Sequence, residues 1–283
     1  MKHLLVPTDF SENAQGAMIY AIQMAAVLKA RLFFYHATGR VIPHVADNKQ
    51  FEAYREAYLA EHRAHLQKNV RAVYHELGIE VLAEQAELVV QEGDFLYQVH
   101  DAIREHQIDL VVMGTHGATG LKRWFLGSNA AEVFENAACP VLTVPAGFRY
   151  SPIKRIGYAT DLITVTDDFR QLVDFARQFK AQLTLFHVHP IFPEQVNLAR
   201  MDKAALLSEL NARFGYDQIG LELIRTEDDN ELEDGIELFV KQFAPSLLVM
   251  FSRDRNWFDR MFDPSNTKEL VMTAQVPLLA FKQ

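Results

Sequence analysis

At 283 residues the chain exceeds the roughly 100–200 of one domain, and its 49% hydrophobic and 23% charged residues exclude a disordered or fibrous protein. The formal charge of −9, with Lys122-Arg123 and Lys154-Arg155 as the only adjacent basic pairs, argues against a nucleic-acid partner. No apolar run approaches the roughly 18 residues of a membrane span, and the apolar start is stopped by Pro7 and Asp9, too soon for a secretory core.

Taken in order, residues 3–8 read as a strand closing in Thr8-Asp9-Phe10-Ser11. Ala14, Ala17, Ala21, Met24, Ala25 and Leu28 then recur at helical spacing, with Ser11 as the expected N-cap. Residues 31–37 are a second strand. A long helix is predicted over 51–77, its Phe51, Tyr54, Tyr58, Leu66, Val70, Val73 and Leu77 recurring every three or four positions and Gly78 stopping it. A strand near 80–90, a helix near 94–106, a strand at 109–113, a helix near 127–138 and a strand at 141–145 complete the unit. The near-continuous apolar strands predict an α/β fold, a doubly wound parallel sheet with helices on both faces and its ligand beyond the carboxyl ends of the strands. Cys139 is the single cysteine. It rules out intrachain disulfides, reads as a small buried residue before Pro140, and fits a reducing compartment, so a cytoplasmic protein is expected.

The second half repeats the first. Val6-Pro7-Thr8-Asp9 returns as Tyr158-Ala159-Thr160-Asp161, His36 as His187, Asp109-Leu110-Val111-Val112-Met113 as Ser246-Leu247-Leu248-Val249-Met250, and Cys139-Pro140-Val141 as Val276-Pro277-Leu278. The offset falls from 151 at His36 to 137 at Asp109, so the second copy lacks 14 residues in its middle. Two domains in tandem are therefore expected, 1–147 and 152–283, joined across Gly147 to Pro152.

The chemistry lies in residues 113–129, which leave a buried strand and re-enter a helix. Gly114 and Gly117 take side chains away where the backbone turns and a ligand could approach. Gly127 and Ser128 open a helix, whose free N–H groups and dipole favour an anion, and Lys122 and Arg123 add positive charge. Phosphate is the natural guest.

Gly114, Gly117, Gly127 and Ser128 fall on G-x2-G-x9-G-[S/T] without a gap. With the Val-Pro-Thr-Asp-Phe-Ser opening and the Cys-Pro-Val strand, the chain resembles the ATP-binding universal stress proteins over nearly its whole length. The resemblance implies a tandem universal stress protein that binds ATP, ADP or AMP, with Mg2+ as an optional companion, in its first domain. It implies that Pro7, Thr8 and Asp9 line the adenosine pocket, that the backbone of Ala37 meets adenine where the family usually has valine, and that Met113 packs near the base. Gly114, Gly117, Gly127, Ser128 and Asn129 would hold ribose and phosphates, with His116 a further contact.

Each of these has a plainer reading. A loop glycine alone is a turn residue, Asp9 could cap the first helix, and Lys122-Arg123 could be a solvated pair. His36 and His187, at one repeated position, read as packing rather than metal ligands, as does His187-Val188-His189 for want of a third ligand. In the second copy Gly114, Gly117 and Gly127 become Phe251, Asp254 and Pro264, and the loop's net charge of +2 falls to zero, so nucleotide binding by this mode is not expected there. That copy is expected instead to pair with the first as an internal pseudo-dimer, with a homodimer left open. The acidic run from Glu227 to Glu231 matches Gln91-Glu92-Gly93-Asp94 and reads as a helix start. No Walker-type loop, nucleophile elbow or zinc-protease pair occurs in the sequence. A nucleotide-binding regulator is thus preferred to the alternatives, a slow ATPase or hydrolase and a purely structural module.

Overall fold

The computed structural model describes residues 1–39, 48–80, 86–115, 128–160, 168–190, 202–226, 231–252 and 276–282, which fall into two compact units, Met1–Tyr150 and Ser151–Gln283. The first contains β1 (His3–Pro7), α1 (Glu12–Leu28), β2 (Arg31–Ala37), α2 (Asn48–Glu76), β3 (Ala86–Gln91), α3 (Phe95–Glu105), β4 (Leu110–Gly114), α4 (Ser128–Asn136) and β5 (Val141–Val144). Its strands are parallel in the order β3-β2-β1-β4-β5. The order reverses between β1 and β4, which makes their carboxyl ends the switch point of the doubly wound sheet.

Leu4, Leu5 and Val6 are wholly buried in succession, because both faces of the strand are covered. α1 touches α2, and α3 touches α4; right-handed crossovers put one pair on each face. Alternation along β2 agrees, since Phe34 meets Tyr74 of α2 while Phe33 meets His106 at the end of α3. Ser11 caps α1 as expected, its Oγ accepting from the N–H of Ala14 at 3.2 Å. Asp94 caps α3 by accepting from Leu96 and Tyr97; in the second copy the corresponding residues 227–230 lie outside the described residues. Gly78, at φ +64°, follows α2 in the left-handed conformation. Cys139 is buried.

The second unit contains β6 (Arg155–Ala159), α5 (Asp168–Phe179), β7 (Gln182–Pro190), α6 (Lys203–Phe214), β8 (Ile219–Thr226), α7 (Glu231–Phe243), β9 (Leu247–Ser252) and β10 (Leu278–Lys282). Its strands are parallel in the order β10-β9-β6-β7-β8. The repeat extends to single hydrogen bonds. Thr8 N–H donates to the Tyr35 carbonyl, as Thr160 N–H does to that of Phe186; Arg31 donates to Lys2, as Gln182 does to Lys154; Val111 donates to Pro140, as Leu248 does to Pro277.

Candidate functional site

Among the described residues the predicted site positions gather at the carboxyl ends of neighbouring strands. Pro7 ends β1 with Thr8 and Asp9 directly after it, Ala37 ends β2, and Met113 and Gly114 end β4. Ser128 and Asn129 open α4. β1 pairs with β2 on one side and β4 on the other, so these ends sit side by side in the sheet. His116, Gly117 and Gly127, like Lys122 and Arg123, lie outside the described residues.

Gly114 is the position where a side chain has no room. A Cβ there would come within 2.7 Å of Asn13 Nδ2 and 3.0 Å of the Asn13 carbonyl oxygen, far inside ordinary contact. The absent side chain thus lets the first turn of α1 close onto the end of β4. Asn13 Nδ2 reaches Thr115 Oγ1 at 3.5 Å, and Thr115 N–H donates to the Val144 carbonyl at 3.1 Å, which ties the start of the loop to both neighbours.

The turn from β1 into α1 is braced from several directions. Thr8 is buried, and its Oγ1 accepts from the N–H of Phe10 at 3.0 Å. Asp9 Oδ1 accepts from both the N–H of Ser11, at 3.1 Å, and its hydroxyl, at 2.6 Å. Asp9 therefore does not cap the helix itself; it orients Ser11, which does. Phe10 takes φ +65°, a left-handed conformation that costs a residue with a Cβ about 1 kcal/mol or more. Its ring contacts His36 at 4.3 Å and His65 at 4.1 Å between centroids.

His36 Nδ1 donates to the Thr8 carbonyl at 2.8 Å, and its Nε2 lies 3.0 Å from His62 Nδ1. Burial lowers the His36 pKa most; His62 and His65 push the same way, and the Thr8 carbonyl and Asp9 oppose. In the second unit His187 Nδ1 lies 2.8 Å from the Thr160 carbonyl. The recurrence of histidine thus reflects a bond to the strand's exit carbonyl rather than packing alone. Among the described residues no group of three His, Cys, Asp or Glu side chains is placed to hold a metal.

Sequence reasoning missed Phe10, Asn13 and His62. The sequence signals Phe10 only as a member of the Thr-Asp-Phe-Ser turn, Asn13 only as a neighbour of that turn, and His62 only as a polar position on a long helix.

In the second unit the residue at the Gly114 position is Phe251, whose ring packs on Tyr158 at 5.3 Å and on Phe281 at 5.1 Å. Asp254 and Pro264, where the first copy has Gly117 and Gly127, lie outside the described residues.

Two doubly wound parallel sheets in tandem, each with its switch point after the first strand, define the class of fold. The profile of the Universal stress protein family matches residues 1–145 and again 152–282, and the chain belongs to that family. A universal stress protein of Methanocaldococcus jannaschii is 32% identical over 145 residues, covering 50% of this chain and 81% of the relative. One from Bacillus subtilis is 27% identical over 148 residues, 50% of this chain and 97% of the relative. A crystal structure of a universal stress protein from Archaeoglobus fulgidus superposes with a TM-score of 0.67 at 18% identity over 99% of this chain and 98% of that one, a likeness of fold. No described helix is long and apolar enough to cross a membrane.

Proposed function

We propose that the chain is a regulatory stress-response protein whose first unit binds one adenine nucleotide, ATP, ADP or AMP, and whose second unit does not bind one in this way. The observation that carries this reading is the fit between motif and architecture. The G-x2-G-x9-G-S spacing begins at Gly114, where β4 leaves the switch point, and ends at Ser128, where α4 begins. A helix start supplies N–H donors and a positive dipole end for phosphates. The braced Thr8–Asp9 turn supplies a wall with a carboxylate able to accept from ribose or adenine, and Ala37 and Met113 supply backbone and apolar surface beside it. On the family motif Gly114, Gly117, Gly127, Ser128 and Asn129 would hold ribose and phosphates, with His116 a further contact. Mg2+, where it accompanies the nucleotide, would be carried by phosphate oxygens.

In the second copy the first glycine is replaced by a ring seated among rings, and carboxylates enter the loop. A carboxylate 4 Å from a phosphate is unfavourable by about 1 kcal/mol even at the dielectric of water. Calorimetric titration of ATP into nucleotide-free protein is expected to give one site per chain with negligible phosphate release, and Gly117→Asp is expected to abolish the heat. An absence of heat from the wild-type chain, or two equal sites, sinks the proposal.

A further inference from the structure

Behind the Thr8–Ser11 turn two imidazoles meet end to end. A carbonyl only accepts, so His36 Nδ1, 2.8 Å from the Thr8 oxygen, carries the proton and Nε2 keeps its lone pair. His62 Nδ1, 3.0 Å from that lone pair, is then the donor. The ring planes lie within 12° of parallel with centroids 5.1 Å apart. With the facing nitrogens at 3.0 Å, the rings are nearly coplanar and head to head. That is the geometry of a linear N–H···N bond, not of two lone pairs converging on a metal. A continuous chain of donors thus runs from α2 through β2 to the carbonyl at the end of β1.

The pair has a built-in proton limit. The outer nitrogen of His62 takes no part in either of these bonds, so a proton held there leaves both intact. A second must go to His36 Nε2, where it turns the acceptor into a donor and sets two cations face to face, so the bond is lost. The groups facing His36 are Asp9 from the β1–α1 turn and His62 and His65 from α2, while its partner across β3 is the apolar Val90. The Phe10 ring touches both His36 and His65, so separating α2 from β2 takes away its seat. His187 repeats the carbonyl bond, but α6, the helix after β7, contains no histidine. The imidazole pair therefore belongs to the unit that has the glycine loop.

We propose that His36, held by His62, is a positioning residue for the nucleotide wall: it fixes the Thr8–Asp9–Phe10 turn while the pair carries at most one added proton and releases it when the second arrives. This rests on the nucleotide-binding reading for its consequence, though not for the movement of the turn. The test uses the full chain and two measurements between about pH 7.5 and about pH 4.5, a window extended below the ordinary histidine value of about 6.5 because burial and the neighbouring imidazoles lower that of His36. Amide resonances of Asp9, Phe10 and Ser11 are followed without ligand, and ATP affinity is measured by calorimetry. His36→Asn keeps a donor for the Thr8 carbonyl and cannot titrate.

In the wild type the turn resonances are expected to move on acidification and ATP affinity to fall about tenfold more than in His36→Asn; the nucleotide's own protonation cancels in that difference. His62→Gln carries no charge, and its amide can donate to a neutral His36 or turn to accept from a protonated one; it is expected to leave the turn in place on acidification and serves if His36→Asn does not fold. Turn resonances indifferent to pH, or superimposable wild-type and His36→Asn affinity profiles, overturn the proposal. If ATP binds at no pH, the nucleotide reading fails and the resonances alone decide whether the pair positions the turn.

Discussion

The two units build the same sheet but place their bulk on opposite partners. At equivalent positions of the repeat the first unit has Leu5 in β1 and Ala102 in α3, both wholly buried, while the second has Gly157 in β6 and a buried Phe239 in α7. Phe239 stacks on Phe186 with centroids 3.9 Å apart and leans so far over β6 that a Cβ on Gly157 would lie 2.3 Å from its ring. At the carboxyl end Gly114 admits the first turn of α1, and Phe251 instead fills the place with a ring. What recurs between the copies is the backbone hydrogen-bond scheme, not the distribution of volume. A ligand site made of absent side chains can therefore disappear from one copy while the fold persists.

The largest effects are expected where volume was exchanged. Phe239→Ala should destabilise the second unit by about 3–5 kcal/mol, and Gly157→Leu alone should also destabilise it, because the ring occupies that space. The double variant restores the first unit's arrangement and should be more stable than either single change, which is the signature of coupled neighbours. Each unit contains one tryptophan, Trp124 or Trp257, so denaturant unfolding followed by fluorescence in a Trp124→Phe background reports on the second unit alone. Strict additivity of the two changes would break the proposed exchange.

A smaller effect is expected at the switch point of the first unit. Gly114→Ala sets a methyl 2.8 Å from Asn13 Cγ and 3.0 Å from its backbone oxygen. The amide side chain can turn aside, but the carbonyl cannot, so α1 must shift, at about 1–3 kcal/mol. Because the shift passes into the Asp9 turn, weakened ATP binding should accompany it. Unchanged unfolding in a Trp257→Phe background would show that α1 has slack at this point and that the glycine is not required by packing.

Much of this was legible in the residues. Period and run length located the strands and helices, because a doubly wound sheet buries whole strands and half of each helix. The repeat located the second unit, and Ser11 announced the first cap. The start of α2 was placed late, since Asn48, Lys49 and Gln50 carry no apolar signal. The left-handed turn at Phe10 was not legible, because contacts from His36 and His65 hold it rather than a glycine. Nor was the pairing of His36 with His62, which joins a strand to a helix 26 residues on and leaves no trace in any local pattern. Of the two roles the sequence leaves open for Asp9, the helix cap falls to Ser11, the expected N-cap, which Asp9 steadies.

The smallest effect concerns a clamp at the amino end of each sheet, where the copies use different chemistry for one task. Asp109 Oδ2 accepts from the N–H of Lys2 at 2.6 Å and of His3 at 3.0 Å, whereas Ser246 Oγ accepts from Lys154 at 3.0 Å and Arg155 at 3.1 Å. Burial works to raise the Asp109 pKa, but the two backbone donors favour the carboxylate and the net shift is downward. A lowered carboxylate contributes stability that is complete above its unfolded value of about 3.9 and is lost as pH falls through the folded value. The first unit should therefore have an acid limb below about pH 4 from this clamp, while the neutral hydroxyl gives the second unit none. Asp109→Ser is expected to remove that contribution and, because the clamp is partly solvated, to cost less than about 1 kcal/mol at neutral pH. Ser246→Asp should transfer the limb to the second unit, where Lys154 and Arg155 would help hold the charge. Unfolding midpoints measured from about pH 6 to pH 3 distinguish the outcomes, and limbs unmoved by either substitution would show that the clamp acts through geometry alone.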